Sequence, residues 1–230
     1  MVSSLEAAVL QKCWYFAIFY RKRVMKKQLP IIITITTLFL LYTLAVRFVP
    51  DITAWDKSVI IYVQTVMANI SPDIAKFAGG GGYMFLTFIT IIWANIFFIR
   101  KYLLIDAALF TVSPIAAHIL NRIIKFIIQR PRPDFELQIG EHSQTCSFPS
   151  SHTVITCCFW GLVIYYLNKY CDNKFYKILG IFFALCWIIF EGFTRVWLGV
   201  HYPTDVLGGY FASIIFLIVY INLIKLIGGK

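Results

Sequence analysis

The sequence predicts an all-α membrane protein, a polytopic bundle of about six transmembrane helices. Hydrophobic residues make up 60% of the chain and charged residues only 14%, whereas about a quarter of an ordinary soluble domain is charged. The mean hydropathy is +0.76. The apolar residues form six stretches that each approach, with their flanks, the roughly 20 residues that a spanning helix needs. This composition excludes a disordered protein, a disulfide-stapled secreted scaffold and most soluble enzymes.

The chain is predicted to begin with a cytoplasmic or interfacial segment, residues 1–28, whose basic run Arg21–Lys27 precedes the first apolar stretch. Residues 29–230 are predicted to form one membrane domain. Between its first two spans, Ser58–Ile70 would rise only about 20 Å as a helix, too short for the hydrocarbon core, so we expect an interfacial helix there. The predicted spans are about Gln28–Val46, Phe77–Ile99, Ala107–Asn121, Ser143–Asn168, Ile178–Phe190 and Val206–Ile224.

The lysines and arginines predict the orientation of these spans. Most of them border one side of the predicted bundle, and the positive-inside rule then places both termini in the cytoplasm. The net charge of +10 does not indicate a nucleic-acid partner, because many basic residues border apolar runs instead of lying on a polar surface. The outer side nonetheless holds four basic residues between positions 122 and 132. That cluster needs an explanation other than topology.

Three clusters of potentially reactive residues lie at span ends on this outer side. They are Lys125–Pro133, Phe148–His152 and Thr194–Asp205. Charged groups at a membrane boundary are costly unless they are paired or functional. Their shared position favours one common site.

In the first cluster, Pro131 and Pro133 prevent a regular helix, so Lys125 and Arg132 can approach one ligand from different directions. The planar guanidinium of an arginine matches a phosphate group, and a lysine offers a movable point charge. The alternative interpretation is that both residues are snorkelling membrane anchors.

In the second cluster, Ser150 and Ser151 stand where the fourth span begins. Serines there can cap free backbone N–H groups, and the same N–H groups with the helix dipole form an anion site. The alternative is simple capping beside an incidental histidine, His152.

In the third cluster, His201 and Asp205 are four residues apart at the start of the sixth span. The carboxylate can hold the imidazole in one tautomer, which leaves the other nitrogen free to attack or to accept a proton. Arg195 adds a cation nearby. The alternatives are a structural His–Asp pair and a helical pair between Arg195 and Glu191.

Taken together, the motifs KxxxxxxRP (Lys125, Arg132), PSxH (Ser150, His152) and RxxxxxHxxxD, which starts at Arg195, resemble the type-2 phosphatidic acid phosphatase superfamily. The resemblance covers roughly residues 80–225 and its spacing is strict. Two positions depart from the family pattern. Ser151 stands where the family usually has glycine, and Thr194 where it usually has serine. Both remain small, so backbone donation at the first and a hydroxyl at the second can be retained.

The resemblance implies an interfacial catalytic loop and a role for each motif residue. His201 would attack phosphorus and form a phosphohistidine, Asp205 would orient it, and His152 would protonate the departing oxygen and later activate water. Charge on the phosphoryl oxygens would be stabilised by the remaining motif residues. Those phosphate-binding residues are Lys125, Arg132, Ser150, Ser151 and Arg195.

No metal or other cofactor is expected. The motifs contain no acidic cluster suited to Mg²⁺, and the six cysteines show no CxxC spacing that would indicate zinc or a disulfide framework. The resemblance therefore implies metal-independent hydrolysis.

The expected substrate is a lipid phosphate or lipid diphosphate. The resemblance favours undecaprenyl diphosphate first and lipid A second, with phosphatidylglycerophosphate or phosphatidic acid as further possibilities. A lipid phosphotransferase shares this chemistry, and a lipid transporter or channel is the alternative from another class. We expect a bacterial inner membrane, with the site on the extracytoplasmic face. The motifs indicate no oligomeric state.

Three further features are assigned to structure and not to catalysis. The run Gly79–Gly82 lacks the GK[ST] of a phosphate-binding loop and is predicted to give the second span a flexible or close-packed start. Asp106 and His118 lie within the third span. We expect them to form buried hydrogen bonds with neighbouring helices.

Overall fold

The computed structural model describes residues 28–139 and 145–227, and helices make up its regular secondary structure. The predicted N-terminal segment lies outside the described residues, except for Gln28. The main helices are α1 (Gln28–Phe48), α2 (Pro50–Val66), α3 (Asp73–Phe77), α4 (Tyr83–Arg100), α5 (Leu104–Ile128), α6 (Ser151–Tyr170), α7 (Lys174–Trp197) and α8 (Pro203–Ile227).

Among the described residues, five helical segments are long and apolar enough to cross a membrane. They are Gln28–Phe48, Asp73–Arg100, Leu104–Ile128, Lys174–Trp197 and Pro203–Ile227. The expectation of a membrane helical bundle is confirmed, and these five correspond to five of the six predicted spans.

The remaining predicted span, Ser143–Asn168, which is the fourth in chain order, differs from the structure. Its helix, α6, starts only at Ser151 and has 20 residues, which gives a length of about 30 Å. α6 packs against α5, α7 and α8 and buries Thr153, Thr156 and Cys158. Because other helices surround it, α6 tolerates small polar side chains that lower its hydropathy, and for that reason it does not stand out by composition.

The second span contains an interruption. A π-helical turn, Ala78–Gly82, joins α3 to α4, and Gly80 within it has φ −114° and ψ −108°. The glycine run was predicted to give this span a flexible or close-packed start, and the structure shows the close-packed form. At Gly79 the packing is close, because a Cβ there would lie 1.5 Å from Nη2 of Arg195.

The short segment after the first span is the helix α2, which has 17 residues. It contacts α7 and α8 and buries Ile60 against Val196, Tyr202 and Val206. A helix is thus present between the first two spans, but it covers Pro50–Val66 instead of the predicted Ser58–Ile70. It is packed against the helices that carry the third motif.

Two turns with positive φ bring the motifs together. α5 ends at Gln129, whose φ of 49° is left-handed, and the chain then leaves the helix through both prolines. α7 ends in a turn where Gly199 has φ +64° and where a Cβ would lie 1.9 Å from the Leu137 carbonyl oxygen. Only glycine fits that close approach. The turn returns the chain so that His201 lies beside the first turn of α8.

Candidate active site

The three motifs surround one cavity of about 1140 Å³. Six of the eight predicted site residues line it. The lining includes Lys125, Arg132, Ser151, His152, Arg195 and His201 from the motifs, with Lys76, Gly79, Gly80, Met84, His118, Arg122, Phe126, Ile139, Thr145, Cys146, Leu198 and Val200. The other two, Ser150 and Asp205, lie behind the wall, and both are fully buried.

His201 lies in the wall of the cavity, with only 2% of its surface exposed. Its Nδ1 is 3.5 Å from Oδ2 of Asp205 and 3.4 Å from Oγ of Ser147. Its Nε2 is 3.4 Å from Nη1 of Arg132. A guanidinium has only donors, so Nε2 must be the acceptor and the ring proton sits on Nδ1, towards the carboxylate. The contacts thus select the tautomer whose lone pair faces the cavity.

Asp205 is held from several sides. Its Oδ1 accepts a 2.6 Å hydrogen bond from Arg130 Nη1. Its Oδ2 accepts from the Tyr202 backbone N–H at 2.9 Å and from the Ser147 hydroxyl. A carboxylate that accepts this many hydrogen bonds has a fixed position, so it can fix the imidazole in turn.

Arg130 joins Asp205 to a second buried carboxylate, Asp56 on α2. Nη2 of Arg130 donates to Oδ2 of Asp56 at 2.7 Å. Asp56 also accepts from the backbone N–H of Thr204 at 3.0 Å and from its hydroxyl at 2.6 Å. The guanidinium stacks 4.3 Å from the Tyr202 ring centroid. We name Asp56, Arg130 and Asp205 the buried ion network.

The pKa values of His201 and Arg130 are shifted in opposite directions by their surroundings. Burial lowers the pKa of His201 to about 3, and the Arg132 charge adds to that effect against the opposing Asp205. Burial also disfavours the charge on Arg130, but the Asp205 and Asp56 carboxylates outweigh it and raise the pKa of Arg130. At neutral pH the site therefore pairs a neutral imidazole with a permanent guanidinium cation.

Lys125 and Arg132 are held by backbone carbonyl groups. Nζ of Lys125 donates to the carbonyl oxygens of Cys146 and, at 3.1 Å, of Ser147. Arg132 donates from Nη1 to the Val200 carbonyl at 2.6 Å and from Nε to the Thr145 carbonyl at 2.7 Å. Carbonyl dipoles orient the two cations without neutralising them. The predicted convergence of both residues is therefore present.

The two serines of the second motif have different surroundings. Ser150 caps α6, because its Oγ accepts from the Thr153 N–H at 3.5 Å, and its own N–H donates to the Asp205 carbonyl at 3.1 Å. Both groups are thus occupied away from the cavity, which agrees with the capping interpretation. Ser151 lines the cavity, and its Oγ accepts from Asn121 Nδ2 at 2.7 Å. His152 packs edge-on to Tyr83, with ring centroids 5.9 Å apart.

Arg195 combines both interpretations made from the sequence, since it lines the cavity and also pairs with Glu191. Its Nη2 is 3.8 Å from Oε1 of Glu191, and it donates to the Ala75 carbonyl at 3.2 Å. The hydroxyl of Thr194 accepts from Nε and Nη2 at 3.1 and 3.0 Å. The departure from serine at this position therefore keeps a hydroxyl, and that hydroxyl orients the guanidinium.

Four residues of the site were missed by the sequence analysis. From the sequence, Arg130 is only one of the outer-side cations, and no motif contains Asp56. Ser147 and Thr204 lie immediately outside the motif positions that carried the interpretation. The available signal was a carboxylate in the interior of α2, but its partner is 74 positions away in the sequence.

The predictions for the two polar residues of the third span, Asp106 and His118, have different outcomes. The prediction for Asp106 is confirmed, because it is buried and lies 3.5 Å from Nζ of Lys169. The prediction for His118 is wrong. It is exposed on α5 and lines the cavity, because α5 continues to Ile128 and turns this face towards the site.

Comparison with known proteins agrees with these motifs. The PAP2 superfamily model matches residues 106–227, which is more than half of the chain. The chain belongs to the PAP2 superfamily. The match includes all eight predicted site residues, whereas Asp56, in the buried ion network, lies outside it.

Two curated PAP2 relatives come from Bacillus subtilis (strain 168). One, phosphatidylglycerophosphatase B, is 35% identical over 133 residues, which are 57% of this chain and 63% of the relative. The other, undecaprenyl-diphosphatase BcrC, is 33% identical over 107 residues, 45% of this chain and 50% of the relative. The aligned part of the chain thus spans less than two thirds of either relative.

A solved structure has the same fold. It is the crystal structure of a transmembrane PAP2-type phosphatidylglycerolphosphate phosphatase from Bacillus subtilis, with a TM-score of 0.70 and 22% identity. The alignment covers 85% of this chain and 96% of that one. The likeness extends beyond the PAP2 match to the helices that precede it.

Proposed function

We propose that this protein is a lipid phosphate phosphatase that works through a phosphohistidine at His201. The observation that carries the proposal is the setting of this imidazole. A buried carboxylate faces Nδ1, and Nε2 faces a cavity lined by cations. A neutral, oriented imidazole beside uncompensated positive charge is what in-line attack on a phosphate ester requires.

In the first step, Nε2 of His201 attacks phosphorus while the P–O bond to the lipid breaks. His152, as the imidazolium that a bound phosphate anion would stabilise, donates a proton to the departing lipid oxygen. The N–P bond leaves a positive charge on the His201 ring, which the Asp205 carboxylate stabilises through Nδ1–H. In the second step, His152 takes a proton from water, the water oxygen attacks phosphorus, and the N–P bond breaks. Inorganic phosphate leaves and both histidines return to their starting states.

The phosphoryl oxygens would be held by Lys125, Arg132 and Arg195, with Ser151 at the start of α6. Backbone N–H groups in the first turn of a helix are free to bind an anion. The engaged groups of Ser150 give it the role of positioning that turn. Charge develops on these oxygens in the transition state, and donors already fixed in place lower its energy.

The substrate class is a membrane lipid that carries a terminal phosphate. Undecaprenyl diphosphate remains our first candidate, and the relative that bears that activity in its name supports it. Phosphatidylglycerophosphate is the second candidate, because the other relative bears that name. We place the protein in a bacterial inner membrane, with the cavity on the extracytoplasmic face and both termini in the cytoplasm.

The test is phosphate release by the purified protein in detergent, with EDTA present. Undecaprenyl diphosphate, phosphatidylglycerophosphate, phosphatidic acid and a soluble phosphate ester are compared, with His201→Ala as the control. We expect the wild type to release phosphate from at least one lipid, and His201→Ala to release none from that lipid. Loss of activity in EDTA and recovery with Mg²⁺ would contradict the metal-independent mechanism. No release from any lipid would favour the transferase or transporter alternative.

A further inference from the structure

The cavity carries more positive charge than one phosphate group needs. Its lining contains five lysines and arginines and no aspartate or glutamate among the described residues. The proposed mechanism uses three of the five cations. Of the other two, Lys76 forms an ion pair with Asp73 at 3.2 Å. The positive charge of Arg122 has neither a role in the proposed mechanism nor an ion-pair partner among the described residues.

Arg122 lies on the same face of α5 as Lys125. The two residues are three positions apart, and His118 is a further four positions back along the helix, so the three side chains follow one stripe. Successive helical residues rise about 1.5 Å, which places Arg122 about 4.5 Å and His118 about 10 Å below Lys125 along the helix axis. The stripe thus descends from the proposed phosphate site towards the middle of the bundle.

Arg122 and His118 make no hydrogen bond or ion pair with other residues in the part of the chain that the structure describes. Both nevertheless line the cavity. Arg130, by contrast, has two buried carboxylate partners. Arg122 is exposed on α5, and a cation at a membrane boundary is costly unless it is paired or functional. An anionic ligand would supply such a partner.

The neighbours of Arg122 on this side are apolar. Phe126, one turn further along α5, is 76% exposed, and Met84 at the start of α4 is 70% exposed. Both line the cavity. Such a surface suits an acyl or prenyl chain, which would leave the site between α4 and α5. Arg122 is therefore on the path from the reacting phosphate to the lipid tail.

We propose that Arg122, assisted by His118, binds a second phosphoryl group that lies between the reacting phosphate and the lipid tail. This inference rests on the proposed function and narrows its substrate class to lipids with two phosphates. Two sources share that chemistry: the inner phosphate of a prenyl diphosphate and the phosphodiester of phosphatidylglycerophosphate. Phosphatidic acid and a prenyl monophosphate have only the reacting phosphate.

The test compares Arg122→Gln with the wild type on matched substrates. The pairs are farnesyl diphosphate with farnesyl monophosphate, and phosphatidylglycerophosphate with phosphatidic acid. A hydrogen bond to a charged group corresponds to about a 10- to 100-fold effect. We expect kcat/KM to fall by about this factor for at least one two-phosphate substrate, and by less than about threefold for both one-phosphate substrates. The pair that responds identifies the source.

Two further variants make the result specific. Arg122→Lys keeps the charge, so its kcat/KM for the responding two-phosphate substrate should be close to that of the wild type. Arg47→Gln removes an exposed arginine of α1 that does not line the cavity, and it should leave all four substrates unchanged. An equal loss on one-phosphate and two-phosphate lipids, or no loss on any, would overturn the inference. A wild type that releases no phosphate from any lipid would instead defeat the proposed function.

Discussion

The two sides of His201 hold their cations in different ways. On the Nδ1 side, the buried ion network places Arg130 between two carboxylates, at 2.7 Å from Asp56 and 2.6 Å from Asp205. On the Nε2 side, Arg132 donates to the carbonyl oxygens of Val200 and Thr145. The positive charge of Arg130 is therefore balanced by carboxylates inside the protein, whereas that of Arg132 is not.

This difference explains how two arginines separated by one residue can have unrelated roles. Both follow α5, and both lie within the same proline-containing loop. A cation with carboxylate partners stabilises the fold, because removing it would leave buried negative charge. A cation whose partners are neutral groups, as the carbonyl and hydroxyl oxygens around Arg132 are, remains available to an anionic ligand. For Arg130 and Arg132, which share one loop, the partner of each cation therefore separates the structural role from the proposed catalytic one.

The largest expected effect comes from the residue between the two sides. His201→Ala removes the proposed nucleophile, and we expect kcat to fall by about 10⁴-fold or more. The midpoint of thermal unfolding in detergent should change little. Quenching with SDS at alkaline pH, where the N–P bond is stable, after mixing with a lipid labelled with ³²P at its terminal phosphate should show a labelled protein for the wild type only. A labelled His201→Ala protein would place the nucleophile elsewhere.

The two carboxylates of the buried ion network should separate catalysis from stability. Asp205→Asn removes the charge beside Nδ1, so we expect kcat to fall by about 10³-fold. Asp56 is separated from Asp205 by Arg130, so for Asp56→Asn kcat should stay within about tenfold while the protein loses about 2 kcal/mol of stability. Equal losses of kcat in the two variants would show that the network acts as one unit.

The pair Arg132→Gln and Arg130→Gln tests the comparison directly. For Arg132→Gln we expect kcat/KM to fall by about 100-fold, because one phosphate donor is lost, with nearly unchanged stability. For Arg130→Gln we expect a loss of about 3 to 5 kcal/mol of stability, because two buried carboxylates lose their counterion. Thermal unfolding and steady-state kinetics are measured on both. The reverse pattern would show that the two sides have been assigned wrongly.

The smallest expected effect is a pH dependence of stability. His201 has a pKa of about 3 in the folded protein, against about 6.5 in an unfolded chain. Below about pH 6.5 the unfolded state binds a proton that the folded state does not, so this residue makes stability decrease as the pH falls. From about pH 7 to about pH 5, the unfolding midpoint should fall more in the wild type than in His201→Asn. Parallel curves would mean that the imidazole protonates normally in the folded protein.

The sequence predicted most of the candidate site, because its residues lie in short motifs. Lys125, Arg132, His152 and Arg195 all line the same cavity as His201, as their common position at one membrane face indicated. Ser150 was assigned too broadly, because a motif does not show which serine N–H groups are already bonded. His118 was placed in the wrong environment, because a helical pattern does not show which face of α5 borders a cavity.

By itself, the sequence determined the fold class and which reactive side-chain types lie at the surface of the cavity. Apolar stretches of sufficient length can only be buried in lipid or in a helical bundle, and fixed spacings place reactive groups at helix ends. Only the tertiary structure decided which cations are neutralised and which are free. Asp56 and Arg130 meet because α2 packs against α7 and α8. Charge pairing depends on distances between elements far apart in the chain, and local sequence patterns do not contain those distances.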